Sequence, residues 1–198
     1  MLSLGRSAPL VGRRALVAPR RHCGILAILA PDAAAAADGR LAESAVRART
    51  SRLQHRGPDG QGFAAGGWRA GGGLGEGGGW ALGHQRLAIV DPDSSAADQP
   101  FYLAADAASP ATGDAASSIA LVANGEIYNH HAILSRCEAA AGYDLSRVQS
   151  GSDCEAIAHA YTALGADAAV RSLDGMFAFV LIDEVRSVGT TRGRSRRG

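Results

Sequence analysis

The sequence predicts an α+β domain built in packed layers, and three observations carry that expectation. Mainly apolar runs at Cys23 to Ala30, Leu82 to Val90 and Ile119 to Ala123 have the length of strands and sit between turn-forming residues. Met176 to Ile182 is apolar without interruption, the pattern of a strand covered on both faces, which needs a packed layer on each side of its sheet. Between the strands, apolar residues recur at helical spacing. The 198 residues suffice for one domain with its own core plus short tails.

Composition narrows the function. Twenty basic residues face nineteen acidic ones, and 46% of the chain is hydrophobic, so there is no global pull toward nucleic acid or membrane. Every basic residue is arginine. A chain without lysine cannot run lysine Schiff-base, pyridoxal-lysine, Ser-Lys or Walker-type phosphate chemistry. The cysteines, Cys23, Cys137 and Cys154, are odd in number and lack C-x-x-C spacing, so neither a disulfide framework nor a zinc site is expected. A reducing compartment fits best.

Residues 1–22 carry Arg6, Arg13, Arg14, Arg20 and Arg21 and no acid, and the arginine pairs interrupt any apolar run that could serve as a secretory signal. An organellar presequence and a start-site artefact both remain open, so the expected location is the cytoplasm, or a mitochondrion or plastid if the segment is a transit peptide. The strand from Cys23 follows. Asp38 is a candidate N-cap for a helix through Leu41, Ala45, Val46 and Leu53 that ends before Gly57-Pro58. Arg56-Gly57-Pro58-Asp59-Gly60 reads as a tight turn. Gly66 to Gly79 is mostly glycine with Trp68 and Trp80 near its ends, a flexible insertion between strands; a phosphate loop there is excluded by the missing Gly-Lys-Ser/Thr. Asp91 to Ser118 reads as loop. Ile133, Leu134, Cys137 and Ala141 mark a helix with Cys137 as a small core residue. Ser152-Asp153-Cys154-Glu155 matches a capping box and opens a helix that stops at Gly165. Beyond Asp183 the arginine-rich residues 184–198 read as a basic tail without structure.

The residues that ask for chemistry fall in five ordered groups: His22-Cys23-Gly24-Ile25, Arg56-Gly57-Pro58-Asp59-Gly60, Gly83-His84-Gln85-Arg86-Leu87-Ala88-Ile89-Val90-Asp91, Asn124-Gly125-Glu126-Ile127-Tyr128-Asn129 and Ser150-Gly151-Ser152-Asp153-Cys154-Glu155. This set resembles the N-terminal glutaminase half of glutamine-hydrolysing asparagine synthetase, a class II (N-terminal nucleophile) glutamine amidotransferase. Other class II amidotransferases would show Arg-Gly-Tyr-Asp-Ser or Arg-Gly-Gln-Glu-Ser where this chain has Arg56 to Gly60, and they stay as the alternative family assignment. The resemblance covers residues 23–183 and implies the four-layer αββα sandwich of the N-terminal nucleophile hydrolases. In that family a further strand completes the domain; here it is expected to be missing, leaving an unpaired sheet edge.

The resemblance implies roles residue by residue. Cys23 is the nucleophile, and its own α-amino group, with an ordinary pKa of about 7.7 to 8.0, is the base once the cysteine is N-terminal. The plain alternative is a buried structural thiol. Asn124 and Gly125 form the oxyanion hole, against the alternative of an Asn-Gly hairpin turn. Arg86 forks onto the substrate α-carboxylate, against a surface ion pair. Asp153, with Glu126, accepts from the α-ammonium, against simple helix-dipole stabilisation. Leu87, Ile89 and Val90 wall the pocket. Ser150-Gly151-Ser152-Asp153 lacks the second glycine and last serine of a pyrophosphate loop, so no ATP site is expected. No cofactor or metal is implied for this half of the enzyme; ATP and magnesium belong to the synthetase half, as does the partner that accepts ammonia. Glutamine hydrolysis to glutamate and ammonia through a cysteine thioester is therefore the expected activity. The competing class is an inert fold whose arginine-rich tails bind nucleic acid. Because residue 22 is histidine, activity is expected to require cleavage between His22 and Cys23.

Overall fold

Cys23 is followed at once by β1 (Gly24–Ala30), which runs antiparallel to β3 (Gly79–Arg86). The structure is a computed structural model and describes residues 22–68, 77–104, 118–140, 143–184 and 188–194. β2 (Gly60–Gly67) lies along the other edge of β3, giving a three-stranded sheet in the order β1-β3-β2. Paired on both edges and covered on both faces, β3 is buried at all eight residues. Trp68 is buried at the end of β2 and its indole N–H donates to the Ala30 carbonyl at 2.7 Å, which closes one end of this sheet. The glycine-rich connection between β2 and β3 falls at 69–76, outside the described residues.

Helix α1 (Ala33–Ala36) is capped by Asp32, and α2 (Glu43–Thr50) lies across the outer face of the first sheet. Val46 and Thr50 point into it; a side chain at Gly83 would collide with Thr50, so the glycine lets the helix seat. Asp38 is not the cap of this helix. It accepts the Arg40 N–H and pairs with the Arg40 guanidinium, because Gly39, with φ at 72°, turns the chain away before α2 begins at Glu43.

The second sheet contains β4 (Phe101–Ala104), β5 (Ser118–Ile127), β6 (Gly175–Asp183) and β7 (Val188–Arg194), in that order and antiparallel throughout. Two expectations are corrected here. The segment from Asp91 to Ser118 is not all loop, since Phe101–Ala104 pairs with β5. Nor is the arginine-rich end without structure, because Val188–Arg194 pairs with β6 from Phe177 to Asp183 and supplies the edge strand expected to be missing. An edge strand uses only one side of its backbone for the ladder, so half of its peptide groups need no partner strand.

β5 and β6 alternate between two cores. Ala120, Val122, Val180 and Ile182 meet Ala64, Trp80 and Leu82 of the first sheet. Leu121, Ala123, Phe177, Phe179 and Leu181 meet α3 (His130–Ala139), α4 (Ala156–Leu164) and α5 (Ala166–Ser172). The layers are thus helix, sheet, sheet, helix, the αββα sandwich. Each fully buried side chain such as Leu82 or Leu121 contributes roughly 1.5–3 kcal/mol of transfer free energy. Cys137 is fully buried on α3, as its helical spacing predicts. α4 ends at Gly165, whose φ of 79° stops the helix.

The capping box does not form. Ser152 makes no side-chain cap, and Glu155 turns back to accept the N–H groups of Gln149 and Ser150 and the Ser150 hydroxyl. A short 3₁₀ turn at Asp153–Glu155 precedes α4 instead.

Candidate active site

The ends of both sheets leave a cleft of about 310 Å³, and every residue picked out from the sequence lines it: Cys23, Arg86, Leu87, Ile89, Val90, Asn124, Gly125, Glu126 and Asp153. Cys23 is held at the entry to β1. Its carbonyl accepts from Arg56 Nε at 3.3 Å, and a side chain at Gly24 would strike Leu53 at 2.6 Å, so Gly24 lets the cysteine sit close to the turn after α2. Sγ accepts the Leu87 N–H at 3.3 Å. Burial raises the thiol above its ordinary pKa, opposed by hydrogen bonding from the Leu87 and Cys23 backbone and by the Arg86 charge; Asp153 adds to the rise. At neutral pH the group is a thiol, and attack by it requires a base.

β3 ends at Arg86, four residues earlier than the apolar run to Val90 suggests, and the chain beyond it is braced rather than paired. Asp59 donates its N–H to the Arg86 carbonyl and accepts from Ala88 N–H at 2.9 Å, so the Arg56-to-Gly60 turn holds the segment whose Leu87 N–H meets the thiol. Ile89 and Val90 are exposed at the rim. Arg86 is not a surface ion pair. Its side chain is 10% exposed, with Nη1 on Asp98 Oδ1 at 2.9 Å and the Ser94 carbonyl at 3.2 Å, and Nη2 on the Asp91 carbonyl at 2.6 Å. Of a guanidinium's donors this leaves, among the described residues, Nε–H and one Nη2 hydrogen.

Asn124 and Gly125 lie inside β5 opposite Ala178 and Phe177, so the pair is not a hairpin turn. Gly125 has φ at 136°, and a Cβ there would collide with the Met176 carbonyl; only glycine fits, and its backbone departs from regular strand geometry. Ala123 N–H is taken by the Gln99 side-chain carbonyl at 2.6 Å, so a side chain continues the ladder where β4 has not yet begun. Asn124 Oδ1 is buried without a partner. Asp153 is 7% exposed and accepts the Ile127 N–H through Oδ2 at 2.5 Å, which leaves Oδ1. This is more than a helix-dipole contact, since it fastens the aspartate to β5. Glu126 reaches the cleft from the same strand with its side chain exposed.

Gln99, Cys154 and His84 also line the cleft and have no role assigned from the sequence. Gln99 sits in a segment read as loop. Cys154 donates its thiol to the Gly125 carbonyl at 3.6 Å, and burial, with the charges of Asp153, Cys23 and Glu126, pushes its pKa well above 9. His84 is fully buried and, among the described residues, neither ring nitrogen has a well-formed hydrogen bond; burial lowers its pKa to about 4, with Arg86 adding to the fall, while a weak approach to the Ala123 backbone and the Asp98 charge oppose it. The signal for His84 is its place two residues before Arg86, on the same face of β3. Among the described residues no cluster of three His, Cys, Asp or Glu side chains is arranged to hold a metal ion.

Such a cleft combines a cysteine at the head of a strand, a glycine-shaped backbone beside it and opposite charges on its walls, as in an amidotransferase that works on an amino-acid amide. The family model described as a glutamine amidotransferase domain matches residues 22–196, and the chain belongs to that family. Within it, the similarity is to the glutaminase half of asparagine synthetases. Asparagine synthetase [glutamine-hydrolyzing] of Asparagus officinalis is 40% identical over 161 residues, 81% of this chain and 21% of that one. The Brassica oleracea enzyme of that name is 37% identical over 161 residues, 81% of this chain and 22% of that one; asparagine synthetase [glutamine-hydrolyzing] 2 of Oryza sativa subsp. japonica is 40% identical over 162 residues, 81% and 21%. The chain thus spans about a fifth of the length of these relatives. A solved structure of glutamine phosphoribosylpyrophosphate amidotransferase from B. subtilis, complexed with ADP and GMP, matches with a TM-score of 0.39 and 23% identity over 53% of this chain and 21% of that one.

Proposed function

We propose that this chain hydrolyses glutamine to glutamate and ammonia through a thioester on Cys23, and that the ammonia is passed to a synthetase domain or subunit of the asparagine synthetase kind. The observation that supports it best is the convergence on one cleft of the Cys23 thiol, the Arg86 guanidinium and the Asp153 carboxylate. The spare donors of Arg86 match an α-carboxylate and the spare oxygen of Asp153 an α-ammonium, so the two together call for a free zwitterionic amino acid. With those ends fixed, the side-chain amide extends toward Sγ.

The thiol proton passes to a base, Sγ attacks the amide carbon, and the carbonyl oxygen becomes an oxyanion that Asn124 Nδ2 and the Gly125 N–H stabilise. Collapse breaks the C–N bond, the base returns the proton to the leaving nitrogen, and ammonia departs. Water then attacks the thioester carbon, giving up its proton through the same base, and glutamate leaves as the thiol is restored. The base is the α-amino group of Cys23 in a chain that begins there. While Cys23 is joined to His22 its nitrogen is an amide without a basic lone pair, so release of Cys23 switches the activity on. Each step draws on this chain's own groups and needs no cofactor. A glutamine-analogue electrophile tests the reading: it should modify Cys23, and modification of Cys137 or Cys154 in its place would refute it.

A further inference from the structure

Arg86 and Asp153 stand on separate segments, one at the end of β3 and the other at the start of the turn into α4, and one residue outside the reacting groups joins them. Asp91 adopts a left-handed backbone with φ at 51°, unusual for a residue with a side chain. In that conformation its carbonyl accepts from Arg86 Nη2 at 2.6 Å while its carboxylate Oδ2 accepts the Gly151 N–H at 2.9 Å. Gly151 lies two residues before Asp153, and a Cβ on it would stand 3.3 Å from Asp91 Oδ2, so the glycine admits the close approach. The far side of the same loop is pinned by Glu155, which accepts from Gln149 N–H, Ser150 N–H and the Ser150 hydroxyl. This gives Ser150-Gly151-Ser152 a task that neither a phosphate loop nor a capping box explains.

We propose that Asp91 is a positioning residue that sets the spacing between the Arg86 guanidinium and the Asp153 carboxylate, and thereby selects ligands bearing both an α-carboxylate and an α-ammonium. The proposal rests on the functional reading above. Charge-assisted hydrogen bonds lose strength steeply when donor and acceptor are misaligned, so a slackened clasp costs the second contact while sparing the first.

The test uses the full chain and the rate of Cys23 alkylation by iodoacetamide, which needs no catalysis. Glutamine and 4-carbamoylbutanoate, which lacks only the α-amino group, are compared by the concentration that halves this rate. In the wild-type chain glutamine should be effective at about tenfold lower concentration, the ratio carried by one charge-assisted hydrogen bond. Asp91→Ala should bring that ratio toward one without changing alkylation in the absence of ligand, whereas Asp91→Asn, which keeps an acceptor for Gly151, should retain most of it. Gly151→Val, which forces the clasp apart from the other side, should also lose the ratio and decides the matter if Asp91→Ala does not fold. A wild-type ratio in Asp91→Ala or Gly151→Val, or equal losses in the Asn and Ala variants, overturns the role of Asp91 alone. A wild-type Cys23 that glutamine does not protect overturns the functional reading and the proposal with it.

Discussion

Replacing Arg86 by lysine keeps the positive charge and removes the fork, and the structure indicates what that should cost. Among the described residues three guanidinium hydrogens are spent on Asp98, Ser94 and Asp91, and two remain for a ligand. An ammonium has three donors on one atom. Even with one of the three internal acceptors left unmet it has a single donor for an α-carboxylate, so Arg86→Lys loses at least one charge-assisted hydrogen bond to substrate, worth roughly 1.5–3 kcal/mol or about 10- to 150-fold in binding. The α-carboxylate carries the same charge in the ground and transition states, so the loss should appear in KM with kcat within a few-fold of wild type. Steady-state ammonia release by the form that begins at Cys23 measures both constants. A fall in kcat at unchanged KM would refute the assignment of Arg86 to the substrate's α-carboxylate. Arg86→Ala is a poorer probe, because it also strips a partner from three internal acceptors and should destabilise the loop after β3.

Other outcomes are expected. Asn124→Ala should lower kcat by about 10²- to 10³-fold at nearly constant KM, since it removes a donor to charge that develops only during reaction; equal kcat would remove it from the oxyanion hole. Iodoacetamide applied to the native chain should modify Cys23, which is only half-buried, well before the buried Cys137 and Cys154, as peptide mapping would show. His84 is held neutral by burial with a folded pKa of about 4 against 6.5 for the free group. Below 6.5 the unfolded chain therefore binds the proton first, and stability should fall by about 3 kcal/mol between pH 6.5 and 4 and be flat above. Urea unfolding of wild type and His84→Gln across that range checks this, and an equally steep loss in both would show that His84 is not its source.

The candidate site is legible in the sequence because its groups carry local backbone demands that show in residue type. Gly24 and Gly125 sit where a Cβ would strike a neighbour, and the Gly57-Pro58 turn brings Asp59 under the loop that follows Arg86. The layering is legible from Met176 to Ile182, since only a strand between two packed faces has use for unbroken apolar residues. What escapes depends on partners distant in the chain. β4 is four residues in a segment rich in Ala, Asp and Ser, and it becomes a strand because β5 offers an open edge. β7 reads as unstructured because its arginines outweigh Val188, Thr190 and Thr191, and it becomes a strand because β6 offers its backbone an open edge. Glu155 has the spacing of a capping-box residue, yet the Gln149 and Ser150 N–H groups compete for it and win. The Gln99 bond to Ala123 and the Asp91 bond to Gly151 span 24 and 60 residues, beyond any motif window.

Use by Cys23 of its own α-amino group as the base for glutamine hydrolysis is tested most directly by comparing ammonia release from glutamine by the chain beginning at Met1 with release by the chain beginning at Cys23. N-terminal sequencing of both samples after the assay accompanies it. The Cys23 form should be active and the intact Met1 form nearly inactive, with any activity in the second tracking the fraction cleaved between His22 and Cys23. Equal activity from an uncleaved Met1 chain would contradict the α-amino mechanism.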